Sequence, residues 1–292
     1  MTSSDEFTSI IILGAGRSGT NVLRDVLTGL PDFATWPCDE IQPIWRHGNL
    51  RWPDDEFSSD MARPAIVRFV RNAFRKQWRR LGRPKFLVEK TCANTLRVPF
   101  IDAIFPDGKY IQILRHGADV VDSAEKRWRG ELELPSFSYF LAKARFIPTL
   151  DIPIYLWSFA SKRFGMIFGK AKHLSTWGPK FRGVAELQDT PLKEICARQW
   201  CACVEATQNG LKAVDQARHI TLYYEDLVSH PDRELKRILG FLDIHYDAET
   251  LASATSIVRV KTGRSIERTV SDDKVREILA PQIPAIGYED LR

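Results

Sequence analysis

The sequence predicts a three-layer α/β fold, with a central parallel β-sheet flanked by helices. Three observations carry this. Short apolar, β-branched runs alternate with amphipathic helical segments, a pattern that builds parallel sheets with helices on both faces. A glycine-rich turn, Gly14 to Gly19, joins the first such strand to the first helix. Polar groups suited to chemistry cluster just past the carboxyl ends of strands, where open parallel sheets place their ligands.

The elements follow in order. Ile10, Ile11, Ile12 and Leu13 predict a buried strand over 9–13. Val22, Leu23, Val26, Leu27 and Leu30 recur at three- and four-residue spacing and predict a helix over about 20–29, closed by Gly29 and Pro31. Further strands are expected at 85–88, 109–114 and 219–224. Further helices are expected at about 64–81, 98–105, 117–128, 191–217 and 231–241, with Pro64 and Pro231 in first-turn positions.

Length and composition fit this layout. The 292 residues, 44% of them hydrophobic, can fill a sizeable core. No internal repeat, low-complexity tract or linker divides them, so a single domain over 1–292 is expected. The N-terminus lacks a basic region followed by an apolar run, and no stretch has the apolar length of a membrane span. The five cysteines are odd in number, and Cys201-Ala202-Cys203 is spaced too closely for a zinc or redox pair. They read as reduced thiols of a cytoplasmic protein.

The net charge of +5 is unevenly spread. Met61–Lys85 holds nine Lys and Arg and no acid. Its Ile66, Val70, Phe74, Trp78 and Leu81 form an apolar stripe, with Arg68, Arg71, Arg75 and Arg79 beside it. Phe137–Arg182 holds eight basic residues against Asp151 alone, with eleven aromatics among them. The bland reading is a solvated helix and an aromatic-rich insertion at about 130–191. The functional reading is a surface for an anionic or amphipathic acceptor, or peripheral contact with a membrane. No nucleic-acid module accompanies the charge.

The glycine loop is the strongest motif. Strand, glycine turn and helix N-terminus together aim backbone N–H groups and the helix dipole at an anion. The loop is P-loop-like in spacing, but Thr20 stands where a nucleoside-triphosphate P-loop carries Lys, and the cation sits inside the loop at Arg17. Gly14, Gly16 and Gly19 also match a dinucleotide spacing. Asp39 and Glu40 lie where a ribose-binding acid would be expected, so that reading stays open on the loop alone. A second motif narrows the choice. The strand Lys109–Leu114 ends at Arg115, and Ser123 follows two turns into the next helix, so that both are placed to meet one phosphate.

Together the loop and the Arg115…Ser123 pair resemble the nucleotide-binding elements of the sulfotransferases that use 3′-phosphoadenosine-5′-phosphosulfate (PAPS), the bacterial type in particular. Glu89-Lys90-Thr91 resembles the Lys-Thr-Pro element of bacterial and protein-tyrosine sulfotransferases, with Cys92 in place of the Pro. Tyr223-Tyr224-Glu225-Asp226-Leu227 is similar to a strand end near the adenine. Lys261-Thr262-Gly263-Arg264 is similar in position to a late loop that closes on the nucleotide.

The resemblance implies PAPS as donor, with Gly16, Arg17, Ser18, Gly19, Thr20 and Asn21 around the 5′-phosphosulfate. It implies Arg115 and Ser123 at the 3′-phosphate, and Tyr224, Gly263 and Arg264 as further nucleotide contacts. Arg17 and Lys90 would carry the charge of the reaction, Lys90 at the oxygen that leaves. Trp36-Pro37-Cys38-Asp39-Glu40 resembles the acidic element that supplies a general base, with Glu40 placed first and Asp39 second. His116 and His47 are the other candidates, because many small-molecule sulfotransferases use a histidine. No metal is required where fixed cations meet the charges.

Two other functions are compatible with parts of the sequence. A nucleotide-dependent kinase would share the loop and would read Phe86–Glu89 as a strand ending in a metal-holding acid. A non-catalytic module would use the basic surfaces for anion or membrane binding. The resemblance implies an acceptor hydroxyl, on a saccharide, phenol, peptide or lipid-linked molecule. The segment that would select among these, 130–191, contains no readable motif.

Overall fold

A computed structural model describes residues 7–128, 145–153, 178–187, 189–258 and 272–288. Its centre is a five-stranded sheet in the order β2-β3-β1-β4-β5, with every neighbouring pair parallel. The strands are β1 (Thr8–Leu13), β2 (Phe33–Thr35), β3 (Phe86–Lys90), β4 (Lys109–Leu114) and β5 (His219–Tyr223). The helices between β1 and β4 are α1 (Thr20–Thr28), α2 (Gln42–Arg46), α3 (Pro64–Arg80) and α4 (Val98–Ile104). α5 (Gly117–Trp128) and α6 (Leu192–Leu211) come before β5. After β5 come α7 (Tyr224–Ser229), α8 (Pro231–Phe241), α9 (Ala248–Thr255), α10 (Asp273–Leu279) and α11 (Gln282–Ala285).

Strand alternation builds the layers. Ile10 and Ile12 of β1 join Val88, Ile111, Ile113 and Leu222 on one face, under Leu23 and Val26 of α1, Leu235 and Ile238 of α8 and Leu251 of α9. Ile11 and Leu13 join Leu87 and Tyr110 on the opposite face, with Val70 and Phe74 of α3 and Phe100 and Ile101 of α4. A third cluster, with Leu114, Val121, Trp200, Val275 and Leu279, packs α5, α6 and α10 together. The alternating period of two is what lets one strand feed two cores.

The four expected strands form, and the structure adds β2, a three-residue strand pairing Phe33↔Phe86 to Thr35↔Val88. The helix expected over 191–217 ends at Leu211. Asp215 then opens a separate 3-10 turn by accepting from the Ala217 N–H at 2.9 Å. Tyr224 begins a helix rather than ending the strand. In α3 the expected stripe is buried at Ile66, Val70, Phe74 and Trp78, while Arg68 and Arg79 are exposed. The expected insertion at 130–191 falls largely outside the described residues, as do Lys261–Arg264.

Register fixes what meets at the carboxyl edge of the sheet. Ile12 of β1 lies beside Lys90 of β3, Leu13 beside Gln112, and Leu114 of β4 beside Tyr223 of β5. The glycine loop, Lys90, Arg115 and Tyr224 therefore emerge side by side.

Candidate active site

The loop after β1 turns through two left-handed residues, Arg17 at φ 72° and Gly19 at φ 91°. A side chain rarely tolerates that region, and Arg17 adopts it with its guanidinium tied down. Arg17 Nε donates to Ser123 Oγ at 2.9 Å, and Arg115 Nη1 donates to the Arg17 carbonyl at 3.0 Å. The expected trio of Arg17, Arg115 and Ser123 is thus joined by direct bonds across about a hundred residues of sequence. Burial lowers the Arg17 pKa, helped by the positive charges of Arg127 and Arg115. Like charges gathered this closely disfavour one another, a cost that a bound anion would offset.

Gly19 is needed for close approach as well as for its φ. A Cβ there would lie 2.2 Å from the Tyr224 ring. The Arg115 guanidinium sits 4.6 Å over the same ring, and its Nε is buried with no hydrogen-bond partner among the described residues. Gly16 lies in the same turn. Ser18 and Thr20 are buried at its base, and Asn21 is exposed on the first turn of α1.

The second half of the site lies at the end of β3. Lys90 is buried, and its Nζ is 3.7 Å from Glu40 Oε1. Burial alone would weaken its charge, but Cys92, Glu40 and Asp39 outweigh this and raise its pKa. The Cys92 N–H donates to the same Glu40 oxygen at 3.2 Å. Cys92 Sγ is 4.0 Å from Thr20 Oγ1, and burial pushes the thiol up to about 12. Glu40 therefore stands beside Lys90 and, through Cys92 and Thr20, beside the glycine loop.

The remaining candidates are occupied elsewhere. Asp39 is ion-paired to Arg24 of α1 at 2.7 Å. His116 is buried, and its Nδ1 accepts the Ala118 N–H at 3.3 Å, capping α5. Its ring meets Tyr288 edge-on, and Tyr288 donates to Glu225, which also accepts the His116 N–H. His47 bonds Asp151 at 2.7 Å and stacks on Phe69. Gly263 and Arg264 lie outside the described residues.

Sequence reasoning missed the support beneath Lys90. Glu89 is buried and accepts from Thr91 Oγ1 at 2.5 Å and Asn94 Nδ2 at 2.6 Å. Thr91 Oγ1 in turn accepts the Ile41 N–H at 3.2 Å, tying the residue after Glu40 to β3. Asn94 holds Arg97 Nε, and Arg97 reaches Gln42. Burial pushes the Glu89 carboxyl up to about 7, against the pull of Thr91, Trp45 and Arg97. A Glu inside an apolar strand followed by Thr and Asn was the available signal. Among the described residues, no cluster of three or more His, Cys, Asp or Glu side chains is suited to holding a metal. No helix among them is long and apolar enough to cross a membrane.

A model of the Sulfotransferase family matches residues 9–146 and 167–248. The chain belongs to the sulfotransferase family. It is 30% identical over 115 residues to protein-tyrosine sulfotransferase A of Caenorhabditis elegans, covering 32% of this chain and 30% of that protein. It is 19% identical over 318 aligned positions to the protein-tyrosine sulfotransferase of Drosophila melanogaster, covering 97% of this chain and 52% of that one. This sulfotransferase-family chain thus spans about half or less of the length of the curated relatives it matches.

Solved structures agree on the fold. A sulfotransferase of Alicyclobacillus acidocaldarius matches with TM-score 0.52 at 15% identity, over 97% of this chain and 96% of that one. A sulfotransferase of Mycobacterium avium matches with TM-score 0.54 at 13% identity, over 99% of this chain and 79% of that one.

Proposed function

We propose that this chain transfers a sulfuryl group from PAPS to an acceptor hydroxyl by in-line displacement. The observation that carries the reading is the convergence of Arg17, Ser123, Arg115 and Lys90 on one glycine loop, with Glu40 3.7 Å from Lys90. The residues fit such a nucleotide. Arg115 Nε is a buried donor without a hydrogen-bond partner among the described residues, and Gly19 leaves no room for a side chain beneath Tyr224. Bound there, PAPS would supply an activated sulfuryl group on a phosphate leaving group.

Sulfuryl transfer, like phosphoryl transfer, depends on positioning and on charges aimed at the transition state. Arg17 and the loop N–H groups hold the 5′ end. Arg115 and Ser123 hold the 3′-phosphate, and Tyr224 lies against the nucleotide. Lys90, buried and therefore weakly screened, meets the charge that grows on the departing oxygen. Glu40 takes the acceptor proton. The similarity to protein-tyrosine sulfotransferases makes a tyrosine hydroxyl in a peptide the first acceptor to try, ahead of saccharides, other phenols and lipid-linked alcohols. The exposed arginines of α3 would favour an anionic acceptor. None of the five cysteines is in a disulfide, which supports a reducing compartment such as the cytoplasm.

Incubation with labelled PAPS and a panel of these acceptors tests the activity. Transfer to a hydroxyl is the expected result. Tighter binding of ATP with Mg²⁺ than of adenosine 3′,5′-bisphosphate would favour the kinase reading instead.

A further inference from the structure

The Lys-Thr-Pro element that this sequence resembles ends in a residue with no backbone N–H. Here that position is Cys92, and its N–H is used. It donates to Glu40 Oε1 at 3.2 Å, the oxygen that also faces Lys90 Nζ. The local backbone does not require cysteine. Thr91 is extended at φ −127°, ψ 117°, the conformation that a residue before proline adopts, and Cys92 is the first residue of the 3-10 turn Cys92–Leu96. The backbone before Cys92 is thus one that proline accepts, while the N–H that proline would lack is engaged by Glu40.

From this we infer that the Cys92 backbone amide is a positioning group for Glu40, holding its carboxylate ionised and aimed beside the phosphate loop. The inference rests on the reading of Glu40 as the base. An N–H donated to a carboxylate favours its charged form, and the effect grows as water is excluded. Cys92 is buried and the Glu40 side chain is about one quarter exposed, at 26%. The other charges around Glu40 act from several elements. Lys90 stabilises its anion from β3. Glu89 opposes it from beneath, Arg97 supports it from the far side of the turn, and Asp39 stands next to it, paired with Arg24 of α1. The Cys92 thiol, which faces the same carboxylate and Thr20, stays protonated. The amide supplies a fixed dipole to this group. It does not titrate and cannot rotate away.

Two substitutions separate the amide from the thiol. Cys92→Ala keeps the N–H and removes the sulfur, whereas Cys92→Pro removes both. Turnover against pH is measured with labelled PAPS and a working acceptor, and Cys92→Ala is the reference for loss of the thiol, which also bonds Glu40. In Cys92→Pro the acid limb should move to higher pH, and turnover on that limb should fall about tenfold, the scale of one hydrogen bond to a charge. KM for PAPS should hardly change. A carbon-13 titration of the Glu40 carboxyl, assigned by its loss in Glu40→Gln, should lie higher in Cys92→Pro than in Cys92→Ala, the difference being the amide's share.

Identical behaviour of the two variants overturns the proposal. Full turnover in Glu40→Gln overturns instead the assignment of the base, and the carboxyl titration still decides whether the amide holds Glu40. Should Cys92→Pro fail to fold, the parent gives the answer. Its Cys92 amide resonance should shift as Glu40 ionises, and no shift would refute the contact.

Discussion

Lys90 and Glu40 face each other across 3.7 Å beside the glycine loop, one from the end of β3 and the other from the loop before α2. On the proposed reading, the group that meets the leaving oxygen and the group that takes the acceptor proton are neighbours. Glu40 is one of the groups that raise the Lys90 pKa, and substitution of either should be read with that contact in mind.

Lys90→Ala should lower turnover roughly 100- to 1,000-fold, because the charge Lys90 meets develops chiefly in the transition state. Affinity for adenosine 3′,5′-bisphosphate should change little by comparison. Calorimetric titration beside single-turnover kinetics separates the two effects, and equal turnover in mutant and parent would return Lys90 to a structural role.

Glu40→Gln should cost about a hundredfold to ten-thousandfold in rate and abolish the acid limb of the pH profile, with bisphosphate binding preserved. Asp39→Asn is the matched control. Because Asp39 is held by Arg24, its loss should reduce the rate far less. Inactivity confined to Asp39→Asn would move the base by one residue.

The nucleotide itself should stabilise the fold. Adenosine 3′,5′-bisphosphate at a hundred times its dissociation constant contributes about 2.7 kcal/mol, visible as a rise in Tm that ATP or NAD should not match. Arg115→Ala should weaken the bisphosphate roughly 10- to 100-fold, by removing charge-assisted bonds to a phosphate that does not react. Turnover at saturating PAPS should suffer less than affinity does.

Glu89 predicts a pH dependence of stability. Its carboxyl titrates near 7 in the fold against 4.5 when unperturbed, so the native state holds a proton that the unfolded chain has released. The contribution is therefore fully present below about 4.5 and is lost as pH rises through about 7, on the order of 3 kcal/mol in all. Urea denaturation at pH 5 and pH 8 should show the parent losing this stability. Glu89→Gln should flatten the slope, even though its amide meets the Asn94 donor less well and lowers stability overall. A parent and variant with the same slope would place the Glu89 carboxyl in its ordinary range.

Much of this was legible in the residues, for physical reasons. β1, β3 and β4 are buried on both sides, so their apolar runs are continuous, and the glycines and cations that follow them stand out. The loop and the Arg115…Ser123 pair could be read because each lies within one strand–turn–helix unit. Other features were not legible. β2 is three residues long and is held by pairing with β3 rather than by propensity. The Arg24–Asp39 pair joins a helix face to a loop with no local pattern between them. The Cys92–Glu40 contact depends on a backbone amide, which no residue letter announces.

The stacking of Tyr224 on Gly19 has a consequence for how the protein acquires its ligand. Gly19 follows the first strand of the sheet and Tyr224 the last, and Arg115, which packs on the same ring, follows the fourth. The cradle is assembled from contacts of high sequence separation, which form late and slowly in a folding chain. A partly folded intermediate that lacks β5 has the glycine loop but not its roof. On the proposed reading, nucleotide affinity should therefore appear only with the completed sheet, and ligand should slow local opening of the loop as well as global unfolding, since both break the cradle.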